Sequence, residues 1–498
     1  MSESNVNIPV LLNTFLIGKK RCRVCFHRGN LIWDSEKPSQ SHTLPIKNVI
    51  AVQSNSQRNN TPSASRSHLY SYTLHYAKKG LKSTWKYSNI TFRHTDPMQV
   101  ASWVKTIQNH LNNLTQRPRK ILLFVNPYGG KKKALNIFEK HGKRLFAIAG
   151  VEVNLIISQR ANQIRDIILT FDLKTYDGIA CVGGDGTFSE VFNGLVLRAC
   201  RENSVNQNDI EVELPSPQLP VGVIPGGSTD TIAYCLHGTT DVETAVLQII
   251  FGDCSGLDLI SVYNENTLLK LYASVLSYGY LGDVALESEK YRWMGPKRYD
   301  FTGFKKFLSN IGYEGELAIC SETNDDEELV SKCMEGCTRC KIMSRKRNET
   351  RPELHWKTVK GKFFMVSGAN ITCACARSPN GISPYSHIGD GYVNLVLVRH
   401  TSMLNNLRLL LRLSSKDKTV GDLPFVENYR AKEFCFRACP RTSMNNDPHI
   451  IPGFSKWNCD GEVIYDTDLR VKVRCQLLQV FTRGMREDMS TASCCGFT

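Results

Sequence analysis

At 498 residues the chain has room for roughly two to four domains, and 41% apolar residues supply large cores, which excludes a wholly disordered protein. It has no run of about 18 apolar residues, and Met1-Ser2-Glu3-Ser4-Asn5 lacks the basic start and apolar stretch of a secretory signal, so a cytoplasmic chain without a transmembrane helix is expected. The charge of +15 is uneven: residues 1–112 carry 15 Lys and Arg against 4 Asp and Glu, a net +11, which implies an anionic partner, either lipid or nucleic acid. The 18 cysteines, without an export signal, read as reduced thiols rather than a disulfide framework.

Residues 8 to about 112 read as short strands closed by one helix. Arg21 to Phe26, Leu69 to Tyr76 and Ser83 to Tyr87 alternate polar and apolar, and the Ser/Asn/Arg-rich stretch from Ser54 to Ser67 reads as a loop. Asp96-Pro97 then starts a helix whose apolar stripe is Val100, Trp103, Val104, Ile107 and Leu111. After the linker Thr115 to Arg119 the period changes. Ile121 to Val125 is a continuous apolar strand, Lys133 to Ala149 a helix, Val151 to Ile157 a strand and Asn162 to Phe171 a helix. Ile179 to Val182 and Leu219 to Ile224 are further strands, each ending in a glycine turn before a helix. Strands alternating with helices predict a doubly wound parallel sheet with its ligand site at the carboxyl ends of the strands. From about Ser255 the alternation gives way to strand-like segments such as Leu268 to Tyr278, Val393 to Val398 and Arg470 to Thr482. Glu322 to Arg351 is polar and cysteine-bearing and reads as an insertion.

Three glycine turns fall on the sheet's carboxyl edge: Asn126-Pro127-Tyr128-Gly129-Gly130, Gly183-Gly184-Asp185-Gly186-Thr187, and Gly226-Gly227-Ser228-Thr229. Glycine lets the backbone approach a ligand closely, and a following helix start offers amides to phosphate. Asp185, inside the central turn, is placed either to cap its helix or to accept a proton from a hydroxyl beside a phosphate site. Glu190, about one turn further along, faces the same way as Gly186 and can hold a ribose or a metal-bound water.

Taken together, the N-terminal module resembles a pleckstrin-homology domain. The segments NPYGGK, VGGDGTFSE, PGGSTDT, SEKYRWMG and DGE resemble the lipid-kinase superfamily of diacylglycerol and sphingosine kinases, and within it the ceramide kinases. The resulting expectation is a multi-domain chain. It has a pleckstrin-homology-like membrane-binding module (1–114), an α/β doubly wound catalytic domain (118–254), a C-terminal antiparallel β-sandwich-like lipid-binding domain (255–483) and a tail (484–498). The resemblance implies an ATP- and Mg²⁺-dependent kinase acting on the primary hydroxyl of ceramide. It implies Asp185 as base, with Gly183, Gly184, Gly186 and Asp283 at the lipid. It implies Asn126, Pro127, Tyr128, Gly129, Gly130, Ser158, Asn162, Glu190, Gly227, Ser228, Thr229, Arg292, Arg298, Asp460, Gly461 and Glu462 at ATP. It also implies phosphoinositide or other anionic-lipid binding through Lys19, Lys20, Arg21 and Arg23, no nucleic-acid partner, and peripheral attachment at Golgi and plasma membranes.

Sphingosine kinases carry two acidic residues ahead of the SEKYR segment; here Asp283 remains but the second position is Ala285. A neutral amide substrate needs no such carboxylate, so Ala285 favours ceramide over sphingosine. Cys333, Cys337 and Cys340 have zinc-ligand spacing, with Cys373 or Cys375 to complete four; the other reading is structural or redox-sensitive thiols. Leu404 to Leu413 is basic and amphipathic, either a target for Ca²⁺-loaded calmodulin, which the resemblance also implies, or a helix packed on the β domain. Other readings are a kinase for sphingosine or diacylglycerol, an NAD kinase, which shares GGDGT but lacks NPYGG and SEKYR, and a non-catalytic lipid sensor or transfer protein.

Overall fold

The computed structural model describes residues 11–35, 40–55, 69–130, 133–295, 297–322, 331–346, 353–375, 378–439 and 454–486. Most of the expected 54–67 loop, Lys131 and Lys132, much of the 322–351 insertion, and the tail from residue 487 lie outside the described residues.

Seven antiparallel strands, from Leu11–Ile17 to Trp85–His94, form the first sheet, covered by the helix Pro97–Asn112. The helix begins where the Asp96 carboxylate accepts the Met98 amide at 2.8 Å and Pro97 presets φ. Its stripe of Val100, Trp103, Ile107 and Leu111 is buried on the sheet, with Trp103 edge-on to Phe15 at 5.2 Å. This is the pleckstrin-homology-like architecture expected from the alternating strands. Lys19, Lys20, Arg21 and Arg23 are exposed on its first hairpin, between the strands Leu11–Ile17 and Lys20–His27.

The next sheet is parallel, in the order Glu152–Ile157, Lys120–Val125, Gly178–Gly183, Val221–Pro225. Leu122, Phe124, Ile179 and Cys181 face one helical layer containing Ile164, Ile168, Phe188 and Phe192. Ile121, Leu123, Val125, Ala180 and Val182 face the other, containing Phe138, Phe146, Val246 and Ile249. Burial on both faces explains why these strands are apolar throughout rather than alternating. The chain goes out from strand Lys120–Val125 to Glu152–Ile157, then returns to the opposite side at Gly178–Gly183. Connections therefore diverge between the first and third strands, and a crevice opens at their carboxyl ends.

The C-terminal region is antiparallel-rich, and its last strand, Leu469–Phe481, belongs to both halves of the molecule. It runs antiparallel beside Cys254–Tyr263 and Glu433–Ala438, and its end lies parallel to Val221–Pro225 through Val480 and Val221. The two regions are thus one continuous sheet, not two bodies on a linker. Helices Tyr280–Ser288, Lys297–Ser309 and Met403–Leu413 interrupt the expected strands. Among the described residues no helix is long and apolar enough to cross a membrane.

The first module is fixed to the α/β body through Trp85. Its amide donates to Thr244 Oγ1 at 2.9 Å, and Lys86 pairs with Asp241 at 2.6 Å. The guanidinium groups of Arg483 and Arg486 lie 5.3 and 4.9 Å from the Trp85 ring. Trp85→Ala is expected to cost about 3–5 kcal/mol, the range for truncating a buried large aromatic. Exposed Lys105→Ala is expected to stay within about 0.5 kcal/mol. The urea unfolding midpoints of both variants check this.

Candidate active site

The three glycine turns meet at the crevice. Gly130 has φ +54°, and a Cβ there would lie 2.6 Å from the Gly227 carbonyl carbon. A Cβ on Gly227 would lie 2.5 Å from Gly184 Cα, and one on Gly183 would lie 2.4 Å from Thr187 Oγ1. The main chains of the turns therefore touch directly, and only glycine permits it. The Gly226 amide donates to the Gly183 carbonyl at 3.0 Å and the Gly227 amide to Asp230 Oδ1 at 2.8 Å. Asn126 Oδ1 accepts the Tyr128 and Gly129 amides at 3.0 and 3.2 Å, while its Nδ2 donates to Thr187 Oγ1 at 3.1 Å. Those four amides hold the turns' own shape. Pro127 is half-buried behind them, and Tyr128, Gly130, Gly186, Ser228 and Thr229 are exposed on the open side.

Asp185 begins the helix Asp185–Glu202, yet its carboxylate caps the neighbouring helix. Oδ1 accepts the Ile232 amide at 2.9 Å and Oδ2 the Thr231 amide at 3.2 Å. Burial pushes its pKa up to about 6; the two amides pull it down, and Asp460 and Asp230 push it up again. Asp460 returns from the C-terminal sheet and is buried, accepting the amides of Ala273, Ser274 and Val275 at 2.8, 3.0 and 3.0 Å. Burial raises its pKa, and Lys270 opposes the rise. Gly461 carries the turn onward with its amide on Asn458 Oδ1 at 2.9 Å, and Glu462 pairs with Lys270 at 2.7 Å.

Glu190 Oε2 accepts the Ile164 amide at 3.2 Å, so it caps the helix Gln163–Thr170 and holds the Asn162 turn; its pKa is raised by burial, with Glu462 adding to the rise. Asn162 is exposed in the left-handed region, whereas Ser158 is buried with its hydroxyl on the Val125 carbonyl at 3.4 Å. Asp185, Asp230, Asp460, Glu190 and Glu462 together make this edge acidic.

Other expected residues have different surroundings. The carboxylate of Asp283 is buried and bound by the hydroxyls of Tyr313 and Ser455. Arg298 pairs with Glu289 at 3.6 Å and donates to Tyr299 at 2.7 Å. The side chain of Arg292 lies outside the described residues. Glu287 is held to Lys306 at 2.9 Å and to Lys305, which keeps its pKa near 2.

Asp230 and Lys270 are members of this site that sequence reasoning did not single out, and Cys373, read from the sequence as a candidate fourth zinc ligand, lies here instead. Asp230 sits inside PGGSTDT, so its signal was present. Cys373 faces the Ser274 and Ile371 carbonyls and feels the charges of Asp185 and Asp460, and Cys375 closes a turn with Ser378. Neither is gathered with Cys333, Cys337 and Cys340. The fourth donor near those three is His387.

Comparison with known proteins identifies the three regions of the chain. The diacylglycerol kinase catalytic domain model matches residues 120–262, the ceramide kinase C-terminal domain model residues 274–497, and the ceramide kinase PH domain model residues 11–107. Ceramide kinase of Mus musculus is 34% identical over 516 residues, covering 95% of this chain and 97% of that protein. Ceramide kinase of Homo sapiens is 34% identical over 522 residues, covering 96% and 97%. Ceramide kinase of Arabidopsis thaliana is 28% identical over 508 residues, covering 84% and 81%.

The turn contacts make opposite predictions for two neighbouring glycines. Gly227→Ala puts a methyl against Gly184 backbone, so it is expected to lower the melting temperature and weaken ATP binding by more than about tenfold, or 1.4 kcal/mol. Gly186 has nothing within 4 Å of its would-be Cβ and lies in a helix, so Gly186→Ala is expected to raise stability by about 0.5–1 kcal/mol. Thermal melts and titration with a fluorescent ATP analogue check both.

Proposed function

We propose that ceramide is the lipid this chain phosphorylates, for the chain belongs to the ceramide kinase family and is a lipid kinase. The observation that carries the mechanism is Asp185 at the junction of the three glycine turns. Asp185 takes the proton from ceramide's primary hydroxyl as that oxygen attacks the γ-phosphorus. The bond from phosphorus to the β–γ bridging oxygen breaks, and ADP leaves. A pKa near 6 suits a base at neutral pH: the group is ionised yet still accepts a proton. The exposed Gly130 and the Ser228–Thr229 tip line the side from which ATP enters, and Asp460 closes the crevice from the C-terminal sheet.

The acidic edge fits a divalent cation, because Asp230 and Asp460 each push the Asp185 pKa up and positive charge relieves that crowding. Mg²⁺ brought with ATP would be held by Asp230 and would neutralise charge on the phosphates. Substrate-side specificity rests on Ala285, which is buried in the helix Tyr280–Ser288 and offers no carboxylate to an ammonium.

Membrane action is supported by two adjoining helices. Lys297–Ser309 exposes Phe301, Phe304 and Leu308, and Met403–Leu413 exposes Leu404, Leu407 and Leu411. Asn310 ties them together, accepting Asn406 Nδ2 at 2.6 Å and donating to the Thr401 carbonyl at 3.2 Å. Exposed aromatic and leucine side chains interleaved with Lys305 and Arg408 suit an anionic bilayer surface, and the basic hairpin of the first module adds charge attraction.

Transfer from labelled ATP in mixed micelles, with ceramide, sphingosine and diacylglycerol in parallel, tests the reading. Ceramide phosphate as the main product is expected. Preferential transfer to another lipid overturns the substrate assignment, and no transfer by folded, ATP-binding protein returns the chain to the sensor class. Charge reversal of Lys19, Lys20, Arg21 and Arg23 is expected to weaken binding to phosphoinositide vesicles by at least about fivefold per residue, from about 1 kcal/mol for each basic group at a surface.

A further inference from the structure

Cys333, Cys337, Cys340 and His387 place one sulfur or nitrogen atom each within 4.8 Å of one another. Local chain geometry explains the grouping. Gly336 at φ +76° lets the chain turn back after Cys333, and the Cys337 amide donates to the Met334 carbonyl at 3.0 Å. The helix Thr338–Lys346 then sets Cys340 one turn beyond Cys337, on the same side. His387 comes from a distant loop, held in place because the next residue's carbonyl accepts the Asp258 amide at 2.7 Å.

The separations suit one tetrahedral ion. Cys333 and Cys340 sulfurs are 3.7 Å apart, and Cys337 Sγ is 3.2 Å from His387 Nδ1. With metal–sulfur bonds of about 2.3 Å, a tetrahedron has sulfur–sulfur edges of about 3.8 Å. At 3.7 Å the sulfurs are not bonded to each other, and all three cysteines are free. His387 is 1% exposed, and its Nδ1, beside the Cys337 sulfur, is the ring nitrogen turned into the cluster. A buried imidazole is costly without a role for its nitrogens. Outer support is present as well: Gln476 Nε2 donates at 2.7 Å both to the Cys340 carbonyl and to the Gly389 carbonyl beside His387.

We propose that these four residues bind one Zn²⁺ ion as a closed, structural site. Three thiolates and one imidazole form a soft donor set that selects zinc over magnesium or calcium. Binding displaces the three thiol protons to solvent while the histidine coordinates as neutral imidazole. The ion clips the 331–346 segment to the loop that leads into strand Val393–Arg399. That segment also holds the chain's exit, since the Glu335 amide donates to the Met485 carbonyl at 2.6 Å. Next in sequence, Arg486 lies over Trp85 and donates to the Thr84 carbonyl at 2.8 Å. The site therefore secures the strap that fastens the lipid-binding module to the kinase body.

The test is metal analysis of full-length protein after dialysis against a mild chelator. One zinc per chain is expected. Cys337→Ser and His387→Ala are each expected to lose it, while Cys373→Ser keeps it. Wild type stripped of zinc is expected to melt at lower temperature and to be cleaved faster by protease within 331–346, with both effects reversed by added zinc. Replacement by Co²⁺ is expected to give the visible bands of a tetrahedral thiolate site, a signature available from wild type even if a variant fails to fold. Wild type without stoichiometric metal, zinc retained in His387→Ala, or a native disulfide within the three cysteines found by mass spectrometry would each overturn the assignment.

Discussion

The active edge depends on backbone touching backbone. Gly130, Gly184 and Gly227 come from three different strand ends, and any side chain on Gly227 would force the turns apart. This contact sets the distance between the first and third parallel strands' carboxyl ends, where the topology opens a crevice. Two of the turns go on to place Asp185 and Asp230 beside each other. A site built this way is rigid before ligand arrives, which is what phosphoryl transfer demands, because its catalysis is mostly positioning and electrostatics.

Asp185 shows what that arrangement costs the fold. Its carboxyl is half-buried among other acids, and its pKa stands near 6, above the value of about 3.9 for an unfolded chain. The folded state thus binds a proton more tightly than the unfolded one between those values. Its contribution to stability is present at low pH and is lost as pH rises through about 6. The amides of Thr231 and Ile232 offset part of this penalty while aiming the carboxylate. The burial that would make Asp185 a base in the proposed reaction is thus the same burial that destabilises it.

Much of this was legible in the sequence. Continuous apolar strands followed by glycine turns gave the parallel sheet and its ligand edge, and Asp96-Pro97 with a helical stripe gave the end of the first module. What stayed hidden depended on long-range contact. No local pattern tells that Leu469–Phe481 joins both sheets, because a strand's second neighbour leaves no periodic mark. Glu190 stands at the crevice, and one of its oxygens also caps another helix, a pairing only the tertiary fold creates. His387 was missed because a lone histidine in a loop carries no ligand spacing, whereas the three cysteines did.

The central claim is that Asp185 is the base. Its most direct test is the pH dependence of single-turnover ceramide phosphorylation by wild type and Asp185→Asn, with ATP affinity measured on both. The account predicts a wild-type rate that falls about tenfold per unit below pH 6, as the carboxylate is protonated. It predicts that Asp185→Asn still binds ATP but loses about 10²- to 10⁴-fold in rate. An Asn variant that turns over near the wild-type rate, or a wild-type profile flat through pH 6, would contradict it.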